Sequence, residues 1–245
     1  MRCMGEEYYV VKFQNNPQGV RILANELLAT RLAARIGLPT AQAAVVEVRE
    51  RLIQGTEDLV IQLGRGRAPC AAGFQFGSRY PGSPAETVVY DFLPEEQLCQ
   101  VLNLDAFCGI LVFDKWCCNT NGRQAIFFRS GSETRYQAQM IDHGFCFNAG
   151  EWNFPDAPLR GLYPRHRVYD RVRGLESCEP WISRIEKLEG AVLEDAASAI
   201  PPDWYGGDQD ALERLLEQLF RRRVLVRDLI VSAWKSSAAP FPNWK

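Results

Sequence analysis

The sequence predicts an α+β fold of two lobes, a small β-rich lobe with one helix followed by a mostly helical lobe that contains a β-hairpin. Runs of β-branched and aromatic residues indicate strands early in the chain, at Tyr8–Phe13, Ala43–Val48 and Leu59–Leu63. Residues 64–84 are rich in glycine, proline and serine, which is typical of a connection between lobes. Helical spacing of apolar residues dominates the remainder. We therefore place the first lobe at 1–85, with a hinge near 74–84, and the second at 86–245.

The single helix of the first lobe is predicted at Arg21–Ile36. Leu23, Leu27 and Ala34 fall on one stripe, and further apolar residues beside it widen the face. Gly37 follows directly, as expected just past the end of a helix. This helix should pack its broad apolar side against a core.

The second lobe is predicted to be helical on both sides of one hairpin. The hairpin strands are Arg123–Arg129 and Tyr136–Ile141, on either side of Ser130–Glu133. The predicted helical stretches are Glu95–Gln100, Leu104–Trp116, Pro180–Ile200, and a last helix that Asp208 caps and that runs through Ile230.

Composition excludes several classes of protein. Of the 245 residues, 47% are hydrophobic and 24% charged, the balance of a soluble globular protein. No segment is long and apolar enough for a membrane span, and no apolar signal core precedes the first charges. A net charge of −2 argues against a broad nucleic-acid surface. The eight cysteines include no CxxC pair, which argues against a structural zinc site. Because no secretion signal is recognised, we expect reduced thiols and a cytoplasmic location.

Two charged residues of the first lobe form a candidate pair. Lys12 ends an apolar strand, where alternation sends it to the face opposite Val11 and Phe13. Glu26 lies in the middle of the predicted helix, among apolar neighbours three or four residues away. A lysine held by a helical glutamate is how kinases aim an ammonium at phosphates. The alternative is a solvated charge at a strand edge and another on an exposed helix face.

A second candidate cluster follows the order of a catalytic loop and a metal-binding aspartate. The polar loop Asn119–Gln124 precedes the hairpin, and Asp142 closes the hairpin's second strand before Gly144. A carboxylate at this position suits magnesium, which prefers oxygen ligands. Gly144 is expected to let the backbone turn so that the carboxylate of Asp142 faces a cleft. Taken alone, a DxG sequence is also compatible with an ordinary turn.

The chain resembles the HipA-like kinase family of bacteria along almost its whole length. Eight segments carry the resemblance in order: YVVKFQNN (9–16), LANELL (23–28), RIGLP (35–39), FQFGSRY (74–80), FDKWCCNTNGRQAIFF (113–128), IDHGFCFNAGEW (141–152), FPDAPLRGLY (154–163) and EPWISR (179–184).

The resemblance implies a two-lobed, protein-kinase-like fold and ATP-dependent phosphoryl transfer with magnesium. Lys12 would contact the phosphates, Glu26 would pair with it, and Asp142 would bind the metal. The adenine would lie near the hinge, at the residues Gln75, Phe76, Gly77 and Ser78. The acceptor would be a hydroxyl of an unknown protein or small molecule.

Departures from the family pattern lower the expected rate. The family's loop reads N-x-D-G-R-Q with an aspartate as catalytic base, but this chain has Asn121 there. An asparagine can orient a hydroxyl but cannot accept its proton. Ile126 stands where kinases place an asparagine, so Gln124 is the candidate second metal ligand. Asp114, expected at a helix end, is a minor candidate for the base.

The start of the first lobe is also expected to be shortened. The family usually carries a glycine/serine-rich hairpin before the lysine strand, whereas Gly5 is the only glycine among the first seven residues here. Loss of its backbone N–H donors would weaken phosphate binding. Two hypotheses result: a weak kinase, or a pseudokinase that serves as a nucleotide-binding or protein-interaction module.

Two basic clusters have other interpretations. The run Arg221–Arg223 is expected to be a solvated helix face. Five arginines follow the metal-binding region, where they could pair with a phosphate or an acidic substrate: Arg160, Arg165, Arg167, Arg171 and Arg173.

Overall fold

The computed structural model describes residues 1–245 and confirms the α+β class, with antiparallel sheets and helices in two lobes. The strands are β1 Tyr9–Lys12, β2 Ala43–Val48, β3 Val60–Leu63, β4 Gly66–Pro69, β5 Gly73–Arg79, β6 Thr87–Tyr90, β7 Gln124–Ser130 and β8 Gln137–Ile141. The helices are α1 Ile22–Arg35, α2 Glu50–Gln54, α3 Ala106–Cys117, α4 Trp181–Glu186, α5 Gly190–Ala197, α6 Gln209–Arg222 and α7 Val226–Trp234. No helix combines the length and the apolar composition of a membrane span.

The first lobe is built on a three-stranded antiparallel sheet in the order β1-β5-β2. β5 is the central strand, with Phe76 opposite Lys12 on one side and opposite Val45 on the other. The hairpin of β3 and β4 stands apart from this sheet. Alternation along β1 therefore decides which of its side chains face the second lobe.

The second lobe contains the predicted hairpin, β7 and β8, with a third strand that sequence patterning missed. β6 pairs with β7 immediately after the connecting segment 80–86. Because β6 is only four residues long and half-exposed, it carries little periodic signal. The sheet β6-β7-β8 faces the first lobe's sheet across a cleft that side chains of both sheets line.

Helix α1 belongs to the same hydrophobic core as the helical lobe. Eleven of its 14 residues are buried, and its apolar side chains join those of α3 in one cluster of 56 residues. The sequence predicted a wide apolar face, and the structure shows a helix buried nearly all round. Three buried polar residues lie on it, Asn25, Glu26 and Thr30, and buried polar groups need internal partners.

The helical stretches near the carboxyl terminus are interrupted where one continuous helix was predicted. The stretch 180–200 divides into α4 and α5 because Leu188 turns into the core and its carbonyl oxygen accepts a hydrogen bond from Arg223. The last helix ends at Arg222, and a 3₁₀ turn at Arg223–Leu225 separates it from α7. The predicted cap is confirmed, since Asp208 accepts the Ala211 N–H at 3.0 Å.

Candidate active site

A cleft of about 260 Å³ lies between the two sheets and against α1. This is near the lower end of the ~300–1,000 Å³ range of small-molecule pockets. The residues that line it from β1 and β5 are Val10, Lys12, Phe76, Ser78 and Arg79. Those from α1, the second sheet and the end of β8 are Glu26, Thr30, Val89, Gln124, Ile126, Gln139, Met140, Ile141, Asp142 and His143. Two basic side chains, two carboxylates, two amides and one imidazole thus meet in a largely apolar hollow.

Lys12 projects into the cleft because strand alternation sends its neighbours Val11 and Phe13 to the other face, where they pack near Val48. Its Nζ donates to Glu26 Oε1 and, at 2.6 Å, to Asp142 Oδ1. Burial alone would lower the pKa of Lys12, but the two carboxylates outweigh it and raise the pKa above its usual range. The lysine is therefore a charged cleft residue and not a solvated edge charge.

Glu26 is fully buried on α1 and both of its oxygens have partners. Oε1 accepts from Lys12, and Oε2 accepts the backbone N–H of His143 at 2.9 Å. Burial raises the pKa of Glu26, while Lys12 and the His143 amide oppose that rise. Glu26 thus links β1 to the backbone just after Asp142, which a solvated helix-face residue could not do.

Asp142 leaves the end of β8 in the left-handed conformation, with φ of 60°. This turn aims its carboxylate at Lys12, and its Oδ2 accepts from Gln124 Nε2 at 2.6 Å. Burial alone would raise the pKa of Asp142, but the charge and hydrogen bond of Lys12 lower it. The carboxylate is held ionised at the cleft.

Gly144 has a different role from the expected one. The sharp turn is made by Asp142, whereas Gly144 has no positive φ. A Cβ on Gly144 would come within 2.8 Å of Ile22 Cγ2 and 3.2 Å of Glu26 Oε1. The glycine is needed because the chain passes against α1, so the expectation of a glycine-made turn was wrong.

Asn25 is a positioning residue that the sequence did not point out. Its Nδ2 donates to the carbonyl oxygens of Gly144, Cys146 and Ala149, and its Oδ1 accepts from Trp152 Nε1 at 2.8 Å. A buried asparagine in the middle of a leucine- and alanine-rich helix was the available signal, since asparagine is a poor helix former. It ties the segment after Asp142 to the helix that carries Glu26.

Comparison with known proteins agrees with this geometry. The model of the HipA-like kinase family matches residues 1–226. The chain belongs to the HipA-like kinase family. Membership implies nucleotide and metal use in general. Lys12, Glu26 and Asp142 are therefore considered together below, as one group of cleft residues. No curated protein matches the sequence.

Solved structures of kinases share the fold of this chain. The proinflammatory kinase CtkA of Helicobacter pylori aligns with a TM-score of 0.51 and 13% identity, over 90% of this chain and 92% of CtkA. Hydra Fam20, in a structure with sugar, gives 0.52 and 13%, over 94% and 79%. The Golgi casein kinase gives 0.50 and 11%, over 96% and 70%. At such low identities these likenesses show the fold alone.

The loop between α3 and β7 presents Asn121 at the surface. Its Oδ1 accepts the Gly122 N–H at 2.9 Å, and its own N–H donates to Asn119 Oδ1 at 3.1 Å. The side chain does not line the cleft between the sheets, so it stands outside the Lys12–Asp142 group. The structure thus brings together four predicted site residues, Lys12, Glu26, Gln124 and Asp142, and leaves Asn121 beyond them.

Asp114 is excluded as a replacement base by its surroundings. It is buried inside α3, where Arg123 donates to both of its oxygens and Asn119 donates to Oδ1 at 3.1 Å. Arg123 also donates to the Ile141 carbonyl oxygen at 2.7 Å. The Asp114–Arg123 ion pair fixes the loop relative to the strand that leads to Asp142. Both carboxylate oxygens of Asp114 are occupied by it, so neither is available to accept a proton from a substrate.

Strand alternation places the four expected adenine contacts of β5 on two opposite faces of the sheet. Phe76 and Ser78 face the cleft. Gln75 is buried on the other side, where it accepts the Gln14 N–H at 2.6 Å, and a Cβ on Gly77 would meet Val46 Cγ2 at 2.5 Å. The strand is paired on both edges, which occupies its backbone groups. Gln75 and Gly77 are therefore corrected to structural residues.

The basic clusters are partly structural. Arg222 is buried, donates to both oxygens of Asp156, and stacks on Phe154 at 4.3 Å, so the expectation of a wholly solvated arginine run was wrong. Three of the later arginines are engaged within the chain: Arg160 with Pro155, Arg165 with Leu93 and Arg167 with Glu95.

The residues of the cleft fit a nucleotide and a divalent cation. Asp142 and the Gln124 amide offer oxygen donors of the kind that magnesium binds. One polar atom in the cleft wall, Gln139 Oε1, is buried without a partner in the chain. Buried polar atoms ordinarily have partners, and a bound ligand would supply the missing donor. Ile126 offers no metal-binding atom.

Proposed function

We propose that this HipA-like kinase binds ATP with magnesium in the cleft and transfers a phosphoryl group to a hydroxyl of a protein or small molecule, at a low rate. The observation that supports this is the meeting of Lys12, Glu26 and Asp142 from β1, α1 and the end of β8. Phosphoryl transfer needs mainly positioning and charge stabilisation, and these three groups provide them.

The residues have separable roles. Lys12 supplies the positive charge for the phosphates, and Glu26 holds its ammonium in place. Asp142 and Gln124 would hold the magnesium, which neutralises phosphate charge when bound. Asn121 lies outside this group on the exposed loop, where it would orient an acceptor hydroxyl that approaches from that side, without removing its proton.

The charge of the cleft makes binding depend on magnesium. The Lys12 ammonium faces two carboxylates, and the other cation of the cleft, Arg79, is already paired with Glu7 at 2.8 Å. Burial with the nearby Arg123 and Lys12 charges holds the pKa of His143 well below its usual range, so the imidazole is neutral. A triphosphate alone would meet net negative charge here. A divalent cation reverses that balance.

A thermal-shift titration with ATP, with and without magnesium, tests the proposal. At one hundred times the dissociation constant, binding stabilises the folded protein by about 2.7 kcal/mol, a rise in Tm of roughly 5–10 °C. We expect this rise only with magnesium, and we expect Asp142→Asn to abolish it. The surface change Asp58→Asn is the matched control and should keep it. No shift at millimolar ATP would contradict the nucleotide site.

The pseudokinase alternative is favoured by Asn121, which cannot accept a proton, and by Ile126, which stands where kinases place a metal-binding asparagine. Transfer from radiolabelled ATP to the chain itself or to a model protein separates the two functions. A proton acceptor is worth about 10²–10⁴ in rate, so Asn121→Asp should raise weak transfer by that factor. Magnesium-dependent binding with no transfer by either form would identify a nucleotide-binding module.

A further inference from the structure

Two buried cysteines of the second lobe lie in direct contact, and neither lines the kinase cleft. Cys108 is on α3, and Cys178 ends the 3₁₀ turn Leu175–Cys178. Their Sγ atoms are 3.0 Å apart, and the two residues are only 3% and 0% exposed. The sulfur atoms of a disulfide bond are about 2.05 Å apart, so these two need to approach by only about 1 Å. Small rotations of the two side chains can supply that movement.

The packing around the two sulfur atoms holds them in place. Gly109 follows Cys108 on α3, and a Cβ on this glycine would come within 2.4 Å of Trp181 Cε2. Trp181 begins α4, three residues after Cys178. The segment from Cys178 to Trp181 therefore meets α3 at two adjacent residues. This close approach is a property of the fold and does not depend on a bond between the cysteines.

The separation of the two cysteines in sequence makes a bond between them consequential. They are 70 positions apart, and the chain between them contains the loop 119–124, the hairpin of β7 and β8, and Asp142. Bringing two such distant residues together in an unfolded chain has an entropic cost that grows with the length of the closed loop. The folded chain already holds them together, so folding favours the disulfide, and the disulfide in turn stabilises the fold.

We propose that Cys108 and Cys178 are a site of oxidative modification, where a peroxide converts the two thiols into an intramolecular disulfide bond. The bond links α3 to the segment that precedes α4 and closes the part of the second lobe that contains Asp142. This modification is independent of nucleotide binding in the cleft, because none of the lining residues of the cleft is a cysteine.

The reaction balances with one hydrogen peroxide. The first sulfur, as a thiolate, attacks a peroxide oxygen, the O–O bond breaks, and the departing hydroxide takes up the released proton to form water. The second sulfur gives up its proton and attacks the resulting sulfenic sulfur. The S–O bond breaks, and the hydroxide leaves with that proton as a second water. Two thiols are oxidised to one disulfide, and one peroxide is reduced to two waters.

Burial determines how fast this site reacts and how long the bond lasts. The contact with Cys178 and burial hold the pKa of Cys108 well above its usual range, so Cys108 is a thiol at neutral pH. Because the thiolate is the reactive form, oxidation of the folded protein is slow and needs a small oxidant. The exposed Cys99 should react first. Once formed, the disulfide is shielded from glutathione until the protein unfolds.

Peptide mapping after treatment with hydrogen peroxide tests the proposal. The full chain carrying Cys3→Ser and Cys99→Ser lacks its two accessible thiols, which avoids bonds between molecules. After oxidation, the remaining free thiols are alkylated in urea and the protein is digested without reduction. We expect a crosslinked peptide that joins Cys108 to Cys178 and separates on reduction. Glutathione should release the crosslink in urea but not in the folded protein.

Thermal unfolding of the same oxidised and reduced samples measures the effect of the bond. Closure of a loop of this length should raise Tm by roughly 5–10 °C. Cys178→Ser should abolish both the crosslink and the rise, whereas Cys70→Ser removes another buried thiol, in the first lobe, and should keep both. Absence of the crosslink, or a crosslink between other cysteines such as Cys117 and Cys146, overturns the proposal. These peptide results need no Cys178 variant, so they decide the assignment even if that variant does not fold.

Discussion

Five charged side chains are buried in this chain, and four of them are paired with opposite charges. Glu26 pairs with Lys12, Asp114 pairs with Arg123, and Arg222 pairs with Asp156. Lys115 is the exception, because its Nζ donates only to the carbonyl oxygens of Ala157 and Pro158, at 3.1 and 2.7 Å. A buried charge without a counter-ion lowers the stability of the folded state unless the group becomes neutral.

Lys115 should therefore give the protein a distinctive pH dependence. Burial, only partly offset by Asp114 and Asp156, lowers the pKa of Lys115 from 10.5 to about 8. Between these values the unfolded chain still holds a proton that the folded protein has released, so stability rises with pH from about 8 to 10.5. The shift corresponds to about 3 kcal/mol. In Lys115→Met this rise should be absent.

Urea unfolding at pH values on both sides of the window measures this effect. The comparison is the change in unfolding free energy across the window, wild type against variant, which removes the contributions that both proteins share. Lys187→Met, at an exposed lysine, is the control and should keep the wild-type rise. The same slope in Lys115→Met and the wild type would show that Lys115 does not release its proton on folding in this range.

At the scale of elements, α1 and the segment after β8 form one unit. Asn25 and Glu26 are adjacent on the helix, and they bind four backbone groups of the chain between His143 and Ala149. The close approach at Gly144 allows these hydrogen bonds to form. Asp142 is thus positioned through a helix that it does not belong to.

Gly144→Ala is expected to disturb this unit. The added methyl group would lie 2.8 Å from Ile22 Cγ2 on a fully buried side chain, so α1 and the segment must separate slightly. Such overpacking lowers stability by about 1–3 kcal/mol. Urea unfolding measures this loss, and the thermal shift with magnesium and ATP should shrink as well. Gly150→Ala adds a methyl group that meets nothing within 4 Å, and its stability should match the wild type. Equal stability of the two variants would contradict the close approach.

The sequence predicted the parts of this unit that local patterns encode. The alternation around Lys12, the periodicity around Glu26 and the hairpin before Asp142 are all local, and each was found at nearly its observed bounds. The predictions that failed concern side chains whose surroundings depend on residues distant in sequence. Such residues determine which side of β5 Gln75 and Gly77 face, and they bury Arg222 and give Asn25 its hydrogen-bond partners. A local sequence pattern does not contain this information.

For the whole molecule, hydrogen bonds outside the cleft lining also join the two lobes. The 3₁₀ turn Pro202–Tyr205 of the second lobe reaches the first lobe, where Trp204 Nε1 donates to the Phe74 carbonyl oxygen at 3.1 Å. Gln14 Nε2 donates to the Asp203 carbonyl oxygen at 3.1 Å. Together with the position of α1 in the common core, these contacts make independent folding of the lobes unfavourable.

We therefore expect the lobes to unfold in one cooperative transition. All six tryptophans lie in the second lobe, so their fluorescence reports its unfolding. Pulsed hydrogen exchange of β2 and β5 reports the first lobe, and both signals should share one urea midpoint. Trp204→Phe keeps an aromatic ring but removes the hydrogen bond to Phe74, and it should lower both midpoints together. If β2 and β5 lost protection at a lower urea concentration than the tryptophan transition, the first lobe would unfold as a separate unit. The core that α1 shares with α3 would then not couple the unfolding of the two lobes.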